Sequence, residues 1–129
     1  MAHPNEEMLR AAYANFAKGD LNGYLEHCTS DITFQVPGRG QVAGRYTRDQ
    51  FFSPFISKVM EVTNGTFRET VLDVVANDTR GVVLAEHEFE RGGRRFNYRT
   101  AHVYRILDGK LAEFLEYPED LYEFDDAWA

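Results

Sequence analysis

From residue 66 the sequence changes period. Four segments, roughly 66–77, 81–91, 94–106 and 110–117, alternate their side-chain character every second residue and are separated by "NDTRG", "RGGR" and "LDGK". Gly, Asn and Asp tolerate the backbone angles of tight turns, so runs spaced this way read as consecutive antiparallel hairpins. A meander of long strands must bury one face against other elements. The first half supplies them. Residues 5–18 place Leu9, Ala12, Tyr13 and Phe16 at helical spacing, and Gly19 suits the position after a helix end. Asp20 is a good N-cap for a second helix over about 21–28, and "DITFQV" then alternates Ile32, Phe34 and Val36 against Thr33 and Gln35 as a strand. "PGRGQVAG", residues 37–44, lacks the G-x-G-x-x-G spacing of a dinucleotide loop and reads as a connection. Thr47 with Gln50 has a capping-box pattern, and Ser53-Pro54 reads as the N-cap and first residue of a third helix reaching about Glu61. In the tail, Leu121, Phe124 and Trp128 fit a last helical turn. The expectation is one α+β domain over residues 1–129, with helices covering one face of a curved antiparallel sheet.

A chain of 129 residues suits a single core. Its net charge of -7 opposes nucleic-acid phosphates and anionic lipid, so neither is expected as a partner. Cys28 is the one cysteine, which excludes an internal disulfide, and its helical spacing from Leu21, Tyr24 and Leu25 points to a buried, inert thiol. No run reaches the eighteen or so apolar residues of a membrane helix, and the N-terminus has no secretory pattern, so a cytoplasmic location is expected. The aromatic fraction of 14%, with ten Phe and seven Tyr, is high and suits a ring-lined core or cavity.

Segment 94–106 puts Phe96, Tyr98, Thr100, His102, Tyr104 and Ile106 on one face, which should point inward. A turn at Gly92-Gly93 then pairs His87 with Tyr98, Ala85 with Thr100 and Val83 with His102. The last hairpin has two readings. A two-residue turn at Asp108-Gly109 pairs His102 with Leu115 and sends Glu116 outward beside Ala101, whereas a three-residue loop with a bulge at Gly109 pairs His102 with Phe114 and Thr100 with Glu116, pointing Glu116 inward. Alternation within 110–117 does not choose between them.

"FAKGDLNGYLEHCTSDITFQVPG", "VAGRYTRDQF" and "LDGKLAEFLEYPED", in this order, resemble the SnoaL-like and ketosteroid-isomerase-like branch of the nuclear transport factor two superfamily, over nearly the whole chain. The resemblance implies a cone-shaped, mixed-edge sheet closed by helices around a deep apolar pocket, and a homodimer through the outer sheet face. In ketosteroid isomerases the positions similar to Ala112, Phe114 and Glu116 line the pocket, and in limonene epoxide hydrolase an aspartate acts from the position of Glu116. Both comparisons favour the inward register. The isomerase base is matched here by Val36, its helix tyrosine by Ala12 beside Tyr13, and its second oxyanion donor by His102; on the strand where the hydrolase carries an arginine and a second aspartate, this chain offers His87 and Phe89.

An inward Glu116 would be desolvated, which raises a carboxyl pKa and suits it to act as a base, with His102 orienting it or steadying developing charge. Tyr13 and Tyr98 are candidate phenolic donors, and Phe34, Val36, Phe52, Val83, His87, Phe89, Thr100 and Phe114 complete the expected binding wall. His87 and His102 lie four residues apart along the ladder, about 13 Å at about 3.3 Å per residue, too far to share a metal. No metal or organic cofactor is therefore expected. Two functions remain open: a cofactor-independent isomerase, cyclase or hydratase acting on an apolar small molecule, with proton abstraction next to a carbonyl or from water, and a non-catalytic module binding such a ligand in the same cavity.

Overall fold

The computed structural model describes residues 2–129. Two helices open the chain, α1 (Pro4–Ala17) and α2 (Leu21–Glu26). His3 caps α1 through a bond from the Asn5 amide, and the Asp20 carboxylate accepts the Gly23 amide at the start of α2. Strands β1 (Cys28–Val36) and β2 (Gly44–Thr47) follow, then irregular helical turns over residues 48–56 and helix α3 (Ser57–Val62). Strands β3 (Arg68–Ala76), β4 (Arg80–Arg91), β5 (Arg94–Leu107) and β6 (Lys110–Pro118) form the meander, and α4 (Leu121–Ala127) closes the chain.

The six strands form one curved sheet in the order β2-β1-β6-β5-β4-β3, antiparallel except where β1 lies parallel to β6. The helices cover its concave face. Leu9 of α1 is fully buried against Gly81 of β4, where a Cβ would fall 2.5 Å from the leucine methyl, so glycine lets the helix sit close on the sheet. The chain end folds back over the same face. Trp128 is 4.6 Å from Phe89, centroid to centroid, and its carbonyl accepts the Gln41 amide.

Three local expectations change. Strand β1 begins at Cys28, where α2 has already ended, and a short strand β2, not expected from the sequence, starts at the last residue of the 37–44 connection, because pairing to β1 supplies the ladder that propensity does not. The Gln50 side chain does return to the Thr47 amide, as the capping pattern predicts. Ser53, however, sits in extended conformation inside the helical turns, and the regular part of the third helix starts only at Ser57.

The β4–β5 register is the expected one, with His87 opposite Tyr98, Ala85 opposite Thr100 and Val83 opposite His102. The last hairpin follows neither alternative. Asp108 and Gly109 both have positive φ, 50° and 77°, and make a two-residue turn that pairs Leu107 with Lys110 and Ile106 with Leu111. Arg105 then pairs with Glu113, so Ala112 is the extra residue of a β-bulge. Beyond it the register has moved by one residue: His102 faces Glu116 directly and Thr100 faces Pro118. Glu116 is turned inward by the bulge and not by the length of the turn.

Gly109→Ala forces a side chain into left-handed backbone and should cost about 1 kcal/mol, lowering Tm by roughly 3–6 °C without changing the ligand affinity of the inner face. Thermal melts of the variant check this, and an unchanged Tm would show that the turn does not depend on glycine.

Candidate functional site

Curvature and alternation bring the inner side chains of β3 to β6 together beneath α1, the turns of residues 48–56 and the C-terminal residues. They enclose a cavity with about 610 Å³ of free space, its open mouth included. The lumen is narrow. Its walls are mainly aromatic, with Phe34, Phe51, Phe55, Phe67, Phe114, Phe124 and Trp128 among them, and its polar end holds Glu69, His87, His102, Glu116 and four tyrosine hydroxyls.

Two cross-strand rows build the polar end. Glu69 on β3, His87 on β4 and Tyr98 on β5 form one, and His102 on β5 with Glu116 on β6 forms the other. Between them stand Ala85 and Thr100, both small, so the larger side chains lean across and meet. The imidazole centroids of His87 and His102 are 5.2 Å apart. This is far closer than the separation of about 13 Å expected from the sequence, because that expectation counts backbone rise alone and leaves out the side chains that lean toward each other. Glu69, His87 and His102 each offer a ligand atom within 4.8 Å of the others, so distance does not exclude a shared cation.

His87 Nε2 lies 2.6 Å from Glu69 Oε2, and His87 Nδ1 lies 3.0 Å from the Tyr98 hydroxyl, which also accepts the Trp128 indole N–H at 2.9 Å. His102 Nε2 lies 3.3 Å from Glu116 Oε2, and the Thr100 hydroxyl donates to the same oxygen at 3.0 Å. On its other side His102 Nδ1 meets the Tyr13 hydroxyl at 2.6 Å, which continues to Tyr104 at 2.6 Å and Tyr24 at 2.8 Å. When His102 carries both protons, this chain of hydroxyls runs donor to acceptor away from it; when Nδ1 is bare, every hydroxyl in the chain can turn round.

Burial drives the Glu116 carboxyl upward, but the hydrogen bond and positive charge of His102, aided by His87 and Thr100, outweigh it and hold the group below its ordinary 4.5. The expectation of a raised Glu116 weighed desolvation without this partner. Burial likewise pulls Glu69 up, and the bond and charge of His87 with the charge of His102 bring it below 4.5. Burial pulls His102 down, and the two carboxylates, Glu116 first, hold it above 6.5. Burial pushes Tyr13, Tyr24, Tyr98 and Tyr104 well above 10, so they stay neutral donors. The site can therefore offer an ionised carboxylate beside a protonated imidazole and phenolic hydroxyls, the parts needed to accept one proton and steady an oxyanion.

Of the residues anticipated from the sequence, Tyr13, Phe34, Val36, His87, Tyr98, His102, Phe114 and Glu116 line this cavity. Thr100 lies behind Glu116 as its donor. Val83 and Phe89 are buried in the core outside the lining, Phe89 against Trp128, and Phe52 is 43% exposed because Phe51 and Phe55 take the inward places on its turn. Glu69 was not anticipated. Its signal was present, since it stands between Phe67 and Val71 on the inward face of β3, one carboxylate on an apolar stripe. Burial also pushes the Cys28 thiol up to about 12, which agrees with an inert thiol.

The ion pairing has a pH signature. Glu69 and Glu116, held low, contribute stability that is present above pH 4.5 and lost as pH falls through their lowered values; His102, held high, contributes stability present below pH 6.5 and lost as pH rises through its raised value. Melts of chelator-treated protein should give the highest Tm between about pH 4.5 and 6.5, with a smaller alkaline loss in Glu116→Gln. A wild-type Tm that keeps rising above pH 7 would contradict the pairing.

Similar proteins have been described. An uncharacterized protein of Mycobacterium tuberculosis is 26% identical over 125 residues, covering 95% of each chain. The structure of Bal32a, from a soil-derived mobile gene cassette, superposes with a TM-score of 0.89 at 30% identity, covering 99% of this chain and 98% of that one. TerC, crystallised with polyporic acid, superposes with a TM-score of 0.83 at 22% identity over 97% of this chain and 98% of its own, which shows a common fold. No helix among the described residues is long and apolar enough to cross a membrane. The SnoaL-like domain model matches residues 9–114, and with the curved sheet and its inner cavity this places the chain in the SnoaL-like family.

Proposed function

We propose that this SnoaL-like domain binds a slender, mostly apolar small molecule between its aromatic walls and that Glu116, paired with His102, acts on it as a general base. The observation that carries this reading is the buried Glu116–His102 pair among the polar side chains that line an otherwise aromatic cavity. A flat ligand with a carbonyl would enter with its oxygen toward the tyrosine hydroxyls and His102. Glu116 would remove a proton from the carbon next to that carbonyl, while the protonated imidazole and Tyr13 would steady the enolate oxygen. The same groups would serve an isomerase, a cyclase or a hydratase. Thr100 keeps the carboxylate aimed, so it is a positioning residue in this scheme.

Hydrogen–deuterium exchange tests the base. Enolisable aryl ketones that raise the Tm are incubated with the protein in deuterium oxide, and loss of the proton next to the carbonyl is followed by NMR. Glu116→Gln keeps the shape of the side chain and should slow enzyme-dependent exchange by about 10²–10⁴-fold while leaving ligand binding within a few-fold. Equal exchange in the variant would remove Glu116 from the chemistry. A second reading, a binding module without turnover, is favoured by one observation: every buried side-chain polar atom among the described residues already has a partner, so the network is complete without a substrate. Tight binding without exchange by any bound ketone would support that reading.

We also infer a homodimer through the outer face of the sheet, within a single domain spanning the chain. There, Val82, Val103 and Leu115 make one cross-strand row and Leu84, Ala101 and Tyr117 the next, with Leu84 and Tyr117 exposed. Such rows suit a self-complementary two-fold interface. Light scattering on the purified protein should give the mass of two chains, and Leu84→Arg should shift it toward one; a monomeric wild type would refute the inference.

A further inference from the structure

Glu69 and His87 take no part in the base chemistry above, and yet they are as deeply buried as the pair that does. The side chains of Glu69, His87, His102 and Glu116 are between 5% and 10% exposed. A carboxylate and two imidazoles from three neighbouring strands therefore converge on one point at the polar end of the cavity. Glu69 Oε2 is 2.6 Å from His87 Nε2 and 3.9 Å from His102 Nδ1. We propose that Glu69, His87 and His102 form a binding site for one divalent first-row transition-metal ion, open to ligands on its cavity side.

The geometry fits this class of ion. Bonds of about 2.0–2.2 Å to imidazole nitrogen and carboxylate oxygen place neighbouring ligand atoms about 3.0–3.5 Å apart. For Glu69 the observed 2.6 and 3.9 Å bracket that spacing, and the three ligand atoms lie within 4.8 Å of one another, so a small shift of the carboxylate and a closing of the two imidazoles by up to about 1.3 Å would bring all three onto one ion. Two imidazoles with one carboxylate on one side of an ion leave the remaining positions free, and this donor set suits zinc, manganese, iron(II) or cobalt(II) better than calcium or magnesium, which take oxygen alone.

The partners of the outer nitrogens agree. With His87 Nε2 and His102 Nδ1 as ligands, each ring has its other nitrogen free to donate, and each has a fixed acceptor: Tyr98, itself held by Trp128, for His87, and Glu116, held by Thr100, for His102. A metal-bound imidazole donating to a carboxylate or hydroxyl is the usual way such ligands are oriented. Glu116 thus supports the site without being a ligand. The ion would take the place of the proton now held between Glu69 and His87. It would also displace the Tyr13 hydroxyl from His102 Nδ1, and Tyr13 keeps Tyr104 as a partner. An ion at this point would polarise a carbonyl or hydroxyl oxygen of a molecule in the cavity. The proposal rests on geometry alone, and its failure leaves the role of Glu116 as a base untouched.

The test is a titration of the full chain, freed of metal with a chelator, with Co²⁺ at pH 7.5, followed by calorimetry and visible absorption. The expected result is one Co²⁺ per chain at micromolar affinity or tighter, with the visible bands of nitrogen-ligated cobalt. Glu69→Gln and His87→Gln should each weaken binding at least about tenfold, Glu116→Gln about tenfold through the orientation of His102, and His27→Gln, outside the cavity, should leave it unchanged. Wild-type protein that takes up less than one ion per chain, or shows no nitrogen-ligated bands, overturns the proposal whatever the folding of the variants. So does binding that Glu69→Gln and His87→Gln, both folded by circular dichroism, leave intact.

Discussion

One extra residue on β6 decides where the chemistry of this molecule lies. Ala112 stands unpaired between the rows set by Leu111 and Glu113, and everything beyond it on β6 is displaced by one place. Because side chains alternate across a strand, that displacement carries Glu116 from the outer face to the inner one and sets it opposite His102. Leu111 and Ala112 are both buried as a result, where strict alternation would bury only one. Bulges are common where a sheet must aim a side chain.

Once Glu116 is inside, the rest of the polar end follows from electrostatic necessity. A buried carboxylate needs a charged or hydrogen-bonding partner, and His102 and Thr100 supply one each. The charge on His102 then leans on Glu69 as well, at 3.9 Å, and Glu69 in turn on His87. The cluster is closed on one side by the hydroxyls of Tyr13, Tyr104 and Tyr24 and on the other by Tyr98 and Trp128. Such a network costs desolvation that an all-apolar core would avoid, so its presence at the end of a cavity, rather than deep in packed core, fits a site that handles protons or ions.

Much of the scaffold was legible in the primary sequence. The helices at residues 5–18 and after Asp20, the four long strands and their turns followed from period and turn chemistry, and the β4–β5 register followed from Gly92-Gly93 alone, since two adjacent glycines leave only one tight connection. The pocket-facing side of β5 was readable for the same reason. Less was readable where tertiary pairing overrides local preference: β2, four residues without a strand period, forms because β1 offers it an edge, and Ser53 fails as a helix start because the turns around it are shaped by Phe51 and Phe55 packing inward.

What the sequence determined by itself is therefore the architecture and the inventory: an α+β sheet with helices on one face, a ring-rich interior, and Glu116 and His102 as groups that could share a face. What only the tertiary structure decided is which groups meet. The bulge at Ala112 has no signature in local propensity, since alanine neither requires nor forbids it, and the approach of His87 to His102 depends on the small side chains of Ala85 and Thr100 lying between them on a concave surface. Sequence period fixes which face a side chain leaves from. Where its tip arrives depends on curvature and on the size of its neighbours, and both are properties of the assembled sheet.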